Sequence, residues 1–325
     1  MARRVALNDS ARGGQAAPRR SKKATGASRG PRTVREPPLK VVRPRAARPE
    51  TMGSDHPVRW HRPRTRTLVI ASGKGGVGKS NLAANLAVAL GECGARVLLM
   101  DADLAQASLD LLLGLHPRFD LQHVLRGEKA LEDILVEGPR GVTLVPAASG
   151  QPDLAEIDDY RRECLLRGLG NLDRDADLIL IDTAAGVSRQ VTSFCMVADE
   201  VLVVTTPEMP AFSDAYGLIK LLHQQGLSHA PRLIVNMAGT SEEADETAQR
   251  IRVVARRFLS LEIESLGYVP FDPAIGRAVR TQEPVVTAFP HSPAAIAYRA
   301  LAERLWEPID PDASRHPLAS HKLEA

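Results

Sequence analysis

The chain has 325 residues, 42 Lys+Arg against 39 Asp+Glu, a formal charge of +3 and three cysteines. No run approaches the roughly 20 apolar residues of a membrane span and no signal-peptide core follows the start, which argues against an integral helical membrane protein and predicts a cytoplasmic one. Cys93, Cys164 and Cys195 lie far apart, so neither a disulfide framework nor a Cys-x-x-Cys metal site is indicated.

The modest net charge hides an asymmetry. Residues 1–66 hold 18 Lys+Arg against 4 Asp+Glu, a balance of +14, whereas the remainder holds 24 against 35. Eight prolines and almost no apolar clusters leave this segment too little surface to bury, so a disordered basic extension is expected over 1–66. It is either a solubilising tail or an arm attracted to nucleic acid or anionic membrane headgroups. From Thr67 the composition changes, and the roughly 240 residues that follow suit one domain.

Within that domain short β-rich runs alternate with longer helical patterns. Strands are predicted over 67–72, 96–101, 142–146, 177–182, 200–206, 232–236 and 263–270. Helices are predicted over 81–91, 155–170, 188–198, 211–225, 241–259, 273–282 and 292–306. The alternation predicts an α/β fold, a doubly wound, mostly parallel sheet, and the nearly continuous apolar strands predict helices on both of its faces. The domain is expected to occupy 67–307, with a flexible tail over 308–325, where Pro308 and Pro311 break the last helix.

The loop after the first strand reads Gly73-Lys74-Gly75-Gly76-Val77-Gly78-Lys79-Ser80. Such glycines let successive backbone N–H groups turn inward around a phosphate chain, while the following helix aims its positive end at the anion. Lys79 is then placed for the β- and γ-phosphates, Ser80 for Mg²⁺, and Asn81 for the α-phosphate or simply for solvent. Ligands in such sheets bind at the carboxyl ends of strands, where Asp101, Asp103, Asp182, Asn236 and Asp272 all fall. Asp182 closes a run of four apolar residues and suits a water-mediated metal contact. Asp101 and Asp103 are one residue apart and cannot share a strand face; Asp101 is assigned to the metal and Asp103 to the hydrolytic water.

Lys74, the Asp101-Ala-Asp103 segment and the Ile181-Asp182-Thr183 segment resemble the MinD/ParA family of deviant Walker ATPases over about residues 67 to 306. Longer runs, among them Leu144-Val-Pro-Ala-Ala-Ser-Gly150, Ser213-Asp-Ala-Tyr-Gly-Leu-Ile-Lys220 and Gly267-Tyr-Val-Pro-Phe-Asp-Pro273, resemble its FlhG branch, which controls flagellar number and placement. The resemblance implies ATP with Mg²⁺, Asn236 on adenine, and a base-lining loop from Pro270 through Asp272. It also implies an ATP-dependent homodimer in which Lys74 reaches the other subunit's phosphates. Implied partners are an FlhF-like GTPase, flagellar switch components or a flagellar transcription activator, with transient residence at the inner membrane face or cell pole. The short segment with which such chains stimulate FlhF is not found, and residues 292–306 read as a packed helix rather than a membrane-gripping one. Ala184 and Ser108 stand where a glycine and an asparagine are common. Partition of DNA or cargo in the ParA manner, MinD-like positioning, and sequestration of an activator with little hydrolysis remain alternatives.

Overall fold

The computed structural model describes residues 65–147 and 176–306, together with residues 165, 168, 169 and 172. Residues 1–64 and 307–325, and with them the expected extension and tail, lie outside the described residues, as does nearly all of the helix predicted over 155–170. Among the described residues eight strands form one sheet in the order β3, β4, β2, β5, β1, β6, β7, β8. They are β1 (Arg66–Ser72), β2 (Val97–Ala102), β3 (Val136–Glu137), β4 (Val142–Val145), β5 (Leu178–Ala185), β6 (Glu200–Thr205), β7 (Arg232–Ala238) and β8 (Ser265–Pro270). All neighbours pair in parallel except β3, which lies antiparallel on β4.

Alternation along the strands separates two cores. Leu68 and Ile70 of β1, Leu99 of β2 and Leu180 of β5 face one side, while Val69, Met100 and Ile181 face the other. The first side is covered by α1 (Lys79–Glu92), α2 (Leu109–Leu112) and, past α3 (Leu121–Leu125), the later helices α7 (Pro273–Arg280), α8 (Val285–Ala288) and α9 (Pro293–Trp306). The second is covered by α4 (Arg189–Val197), α5 (Met209–Gln224) and α6 (Ser241–Leu259). Both faces are therefore dry, which is why these strands are apolar throughout.

Helix boundaries follow local chemistry. α6 begins where Thr240 Oγ1 accepts the Glu243 N–H, with Glu242 and Glu243 in its first turn and Arg256 and Arg257 in its last. Those charges complement the helix dipole at both ends. The predicted elements among the described residues match within a few positions, with one consequential difference at β5. That strand was expected to end at Asp182 but runs on to Ala185, pairing Ala102 with Thr183 and Ser72 with Ala185. Asp182 therefore lies inside the sheet, fully buried, and not at its rim.

Candidate nucleotide site

β1 delivers the chain into the glycine loop, and α1 starts directly from it. The turn is held by Ser72 Oγ, which donates to the Lys74 carbonyl at 2.9 Å. Gly78, the residue before α1, has φ 79°, and a Cβ there would stand 2.5 Å from Asn236 Nδ2, so both conformation and space demand glycine. Gly73 differs from expectation: its missing Cβ makes room for the Asp214 carbonyl of α5, 2.0 Å from where that carbon would be, and it does not line the cavity. The remainder of the loop, Lys74 through Asn81, does line it. With Ser72, Asp103, Gln106, Ser108, Leu112 and Ala185 it encloses about 390 Å³.

Two charged side chains meet beneath the loop. Lys79 Nζ donates to Asp182 Oδ1 at 3.2 Å with both side chains buried. Burial raises the Asp182 pKa, opposed by the Lys79 ammonium and the neighbouring Ser80 hydroxyl. The other oxygen, Oδ2, is buried and accepts no hydrogen bond. Parallel register sets Asp101 directly beside Asp182. Burial first, and the Asp182 charge second, push the Asp101 carboxyl up to about 7, against amide hydrogen bonds that pull it down. Those bonds are specific: Asp101 Oδ1 accepts the Asp103 N–H at 3.1 Å, and Oδ2 accepts the N–H groups of Ser108 and Leu109 at 2.9 and 3.1 Å. Asp101 was expected on the metal side; both of its oxygens accept hydrogen bonds from the loop that carries Asp103. Asp103, only partly buried, faces the cavity, with Oδ1 accepting the Gln106 N–H at 3.0 Å.

Two expected base contacts are placed differently from each other. Asn236 Nδ2 donates to the Val77 carbonyl at 2.7 Å, fixing β7 to the glycine loop, while its Oδ1 is buried without a partner. Pro270 ends β8 opposite Ala238. Asp272, however, caps two helices: Oδ1 accepts the Ala274 N–H of α7 at 2.8 Å and Oδ2 the Ala294 N–H of α9 at 3.1 Å. Although burial opposes it, these amides, the Ser292 hydroxyl and the Arg277 charge hold its pKa below the usual value. It sets the loop rather than offering a free oxygen to a base.

Glu208, not among the residues singled out from the sequence, accepts a hydrogen bond through Oε2 from Lys74 Nζ at 3.0 Å. The signal was present, since Glu208 also follows a strand's carboxyl end. No group of three or more His, Cys, Asp or Glu side chains among the described residues is arranged to hold a metal unaided. Mg²⁺ asks less, one or two hard protein oxygens with phosphates and water supplying the rest, and the Ser80 hydroxyl and orphaned Asp182 Oδ2 fit that demand.

A glycine loop turning from a buried parallel strand into a helix, with a lysine held over a strand carboxylate, defines a P-loop nucleotide-binding protein. The domain family CbiA, described as the CobQ/CobB/MinD/ParA nucleotide binding domain, matches residues 68–285. The antiactivator FleN of Pseudomonas aeruginosa is 39% identical over 254 residues, 78% of this chain and 88% of its own length. The flagellum site-determining protein YlxH of Helicobacter pylori is 34% identical over 220 residues, 67% of this chain and 74% of its own. Among solved structures, the septum site-determining protein MinD of Pyrococcus horikoshii, complexed with Mg-ADP, superposes with a TM-score of 0.65 at 33% identity, covering 75% of this chain and 96% of that one. The chain belongs to the MinD/ParA family of P-loop ATPases, in its FleN/YlxH (FlhG) branch.

Proposed function

We propose that this chain is an ATP-controlled, dimerising switch ATPase that hydrolyses ATP to ADP and phosphate with Mg²⁺ and thereby sets flagellar number and placement. The observation that carries the chemistry is the convergence of Lys79, Ser80 and Asp103 on one glycine-lined cavity, with Asp182 buried against Lys79 beneath it. The loop from Gly75 to Ser80 cradles the phosphates, and Lys79 leaves Asp182 for the β- and γ-oxygens. Asn81 lies at the α-phosphate, and Asn236 Oδ1 with Pro270 receives the adenine. Asp103 orients the attacking water. Mg²⁺, when bound through Ser80 and Asp182, offsets charge on the phosphate oxygens; Asp101 holds the Asp103 loop beside it.

Dimerisation is supported by the surface at the strands' carboxyl ends. Leu111, Val187, Met209, Met237 and Phe271 are all exposed there, five of the nine exposed large hydrophobic side chains among the described residues. Lys74 lies on the same face. In the single chain its ammonium rests on Glu208; in the dimer it transfers to the phosphates of a second copy and stabilises charge there as an arginine finger does. Loss of the γ-phosphate then loosens the loops after Asp103 and Asp182, and turnover is slow because the dimer itself is the signal.

The names of the relatives support the process: FleN is an antiactivator and YlxH a flagellum site-determining protein. A flagellar transcription activator is accordingly the favoured partner, with an FlhF-like GTPase and switch components next. No helix among the described residues is long and apolar enough to cross a membrane. Residues 67–307 act as the ATPase domain, and the basic residues 1–66 supply any contact with anionic lipid or nucleic acid. The test is phosphate release by wild type and Asp103→Ala, paired with flagellar counts in cells carrying each. Hydrolysis unaffected by Asp103→Ala contradicts the chemistry, and unchanged flagellar counts contradict the process.

A further inference from the structure

Gln190 is the second residue of α4 and is 9% exposed, an amide in a helix turn whose neighbours Val191 and Phe194 belong to the core. A buried amide needs a partner, and this one is distant in sequence: Gln190 Nε2 donates to the Ala102 carbonyl at 3.3 Å, 88 residues away. The same peptide unit continues into the Asp103 N–H, which donates to Asp101 Oδ1 at 3.1 Å. One peptide plane is therefore held at both ends, its C=O by α4 and its N–H by Asp101. Because peptide units are planar, fixing both ends fixes the plane and with it the position of the Asp103 Cα, so that a single backbone torsion is left to set where its side chain leaves the chain.

We propose that Gln190 is a positioning residue for Asp103, tying the loop after β5 to the loop after β2. It rests on the reading of Asp103 as the group that orients water. α4 follows Asp182 by a short loop, and its first turn is fixed by Ser188, whose Oγ accepts the Val191 N–H at 3.4 Å. Displacement of the β5 loop moves Ser188, then Gln190, then the peptide that aims Asp103. The two acidic loops thus change together through one side-chain amide, and nucleotide affinity, which is set in the glycine loop, does not depend on it.

The test compares Gln190→Met, which keeps length and core packing but has no donor, with Gln190→Glu, whose carboxylate would face the Ala102 carbonyl. Phosphate release at saturating MgATP, affinity for ADP and thermal midpoint are measured for both variants, for wild type and for Asp103→Ala. The expected result is a kcat on the order of tenfold lower for Gln190→Met and lower again for Gln190→Glu, with ADP affinity of Gln190→Met within about twofold of wild type. Wild-type turnover by Gln190→Met overturns the inference, as does a loss of ADP affinity and thermal midpoint parallel to the loss of rate, which marks a structural role only. Wild-type turnover by Asp103→Ala identifies the assignment of Asp103 as the failing step.

Discussion

Replacing Lys79 by Met tests the buried pair at the centre of the site. The substitution keeps the volume of the side chain but leaves Asp182 fully buried with no cation, and breaking such a pair from one side costs about 3–5 kcal/mol. The cost depends on pH. Burial already raises the Asp182 pKa, and Lys79 is the largest influence holding it down, so removing Lys79 raises it further. A folded-state pKa above the unfolded value of about 3.9 means that the folded chain keeps a proton the unfolded chain has released, so stability falls as pH rises toward the folded pKa. The variant should therefore be destabilised most, by about 3–5 kcal/mol, near pH 8 and less near pH 5, because a raised folded-state pKa leaves more of the unpaired Asp182 carboxyl protonated at the lower pH. Urea unfolding of the nucleotide-free chain with chelator at both pH values measures this. Equal destabilisation at the two values refutes the argument, because a loss of packing alone carries no pH dependence.

Gly78→Ala combines a left-handed alanine with displacement of Asn236 from the Val77 carbonyl; it should cost about 2–4 kcal/mol in chemical unfolding and abolish nucleotide retention. Asp101, with a pKa of about 7 in the folded chain, binds a proton that the unfolded chain lacks between about pH 4 and 7. Stability relative to Asp101→Asn should accordingly fall by about 1.4 kcal/mol per pH unit from pH 5 to pH 7 and flatten above it, as read from unfolding midpoints. Glu208→Gln frees Lys74 from an exposed pair of about 0.2–1 kcal/mol, so ATP-dependent dimerisation in sedimentation should tighten by up to about fivefold per subunit, most clearly at low salt.

Local chemistry made much of this legible from residues. The glycine loop, its flanking strand and helix and the alternating apolar runs specify β1, α1 and the parallel sheet because each signal is short-range and mutually consistent. What periodicity does not carry is pairing. β5 extends past Asp182 because its edges bond to β1 and β2, and the two-residue β3 exists only against β4. Side-chain commitments were equally hidden: an aspartate at a strand end reads alike whether it faces a cavity, as Asp103 does, or caps two helices, one of them through an amide 22 positions away, as Asp272 does. Gln190 left a faint signal, a polar residue on the buried stripe of a predicted helix, but its partner lies on another strand.

In the proposed switch, ATP closes two chains through Lys74. Sedimentation of wild type and Lys74→Ala, each with MgATP and with MgADP, measures it directly. Wild type should be a dimer with ATP and a monomer with ADP, and Lys74→Ala a monomer with both while still binding nucleotide. An Asp103→Ala chain, slow to hydrolyse, should hold the ATP dimer longest. A Lys74→Ala chain that dimerises and hydrolyses like wild type contradicts the claim.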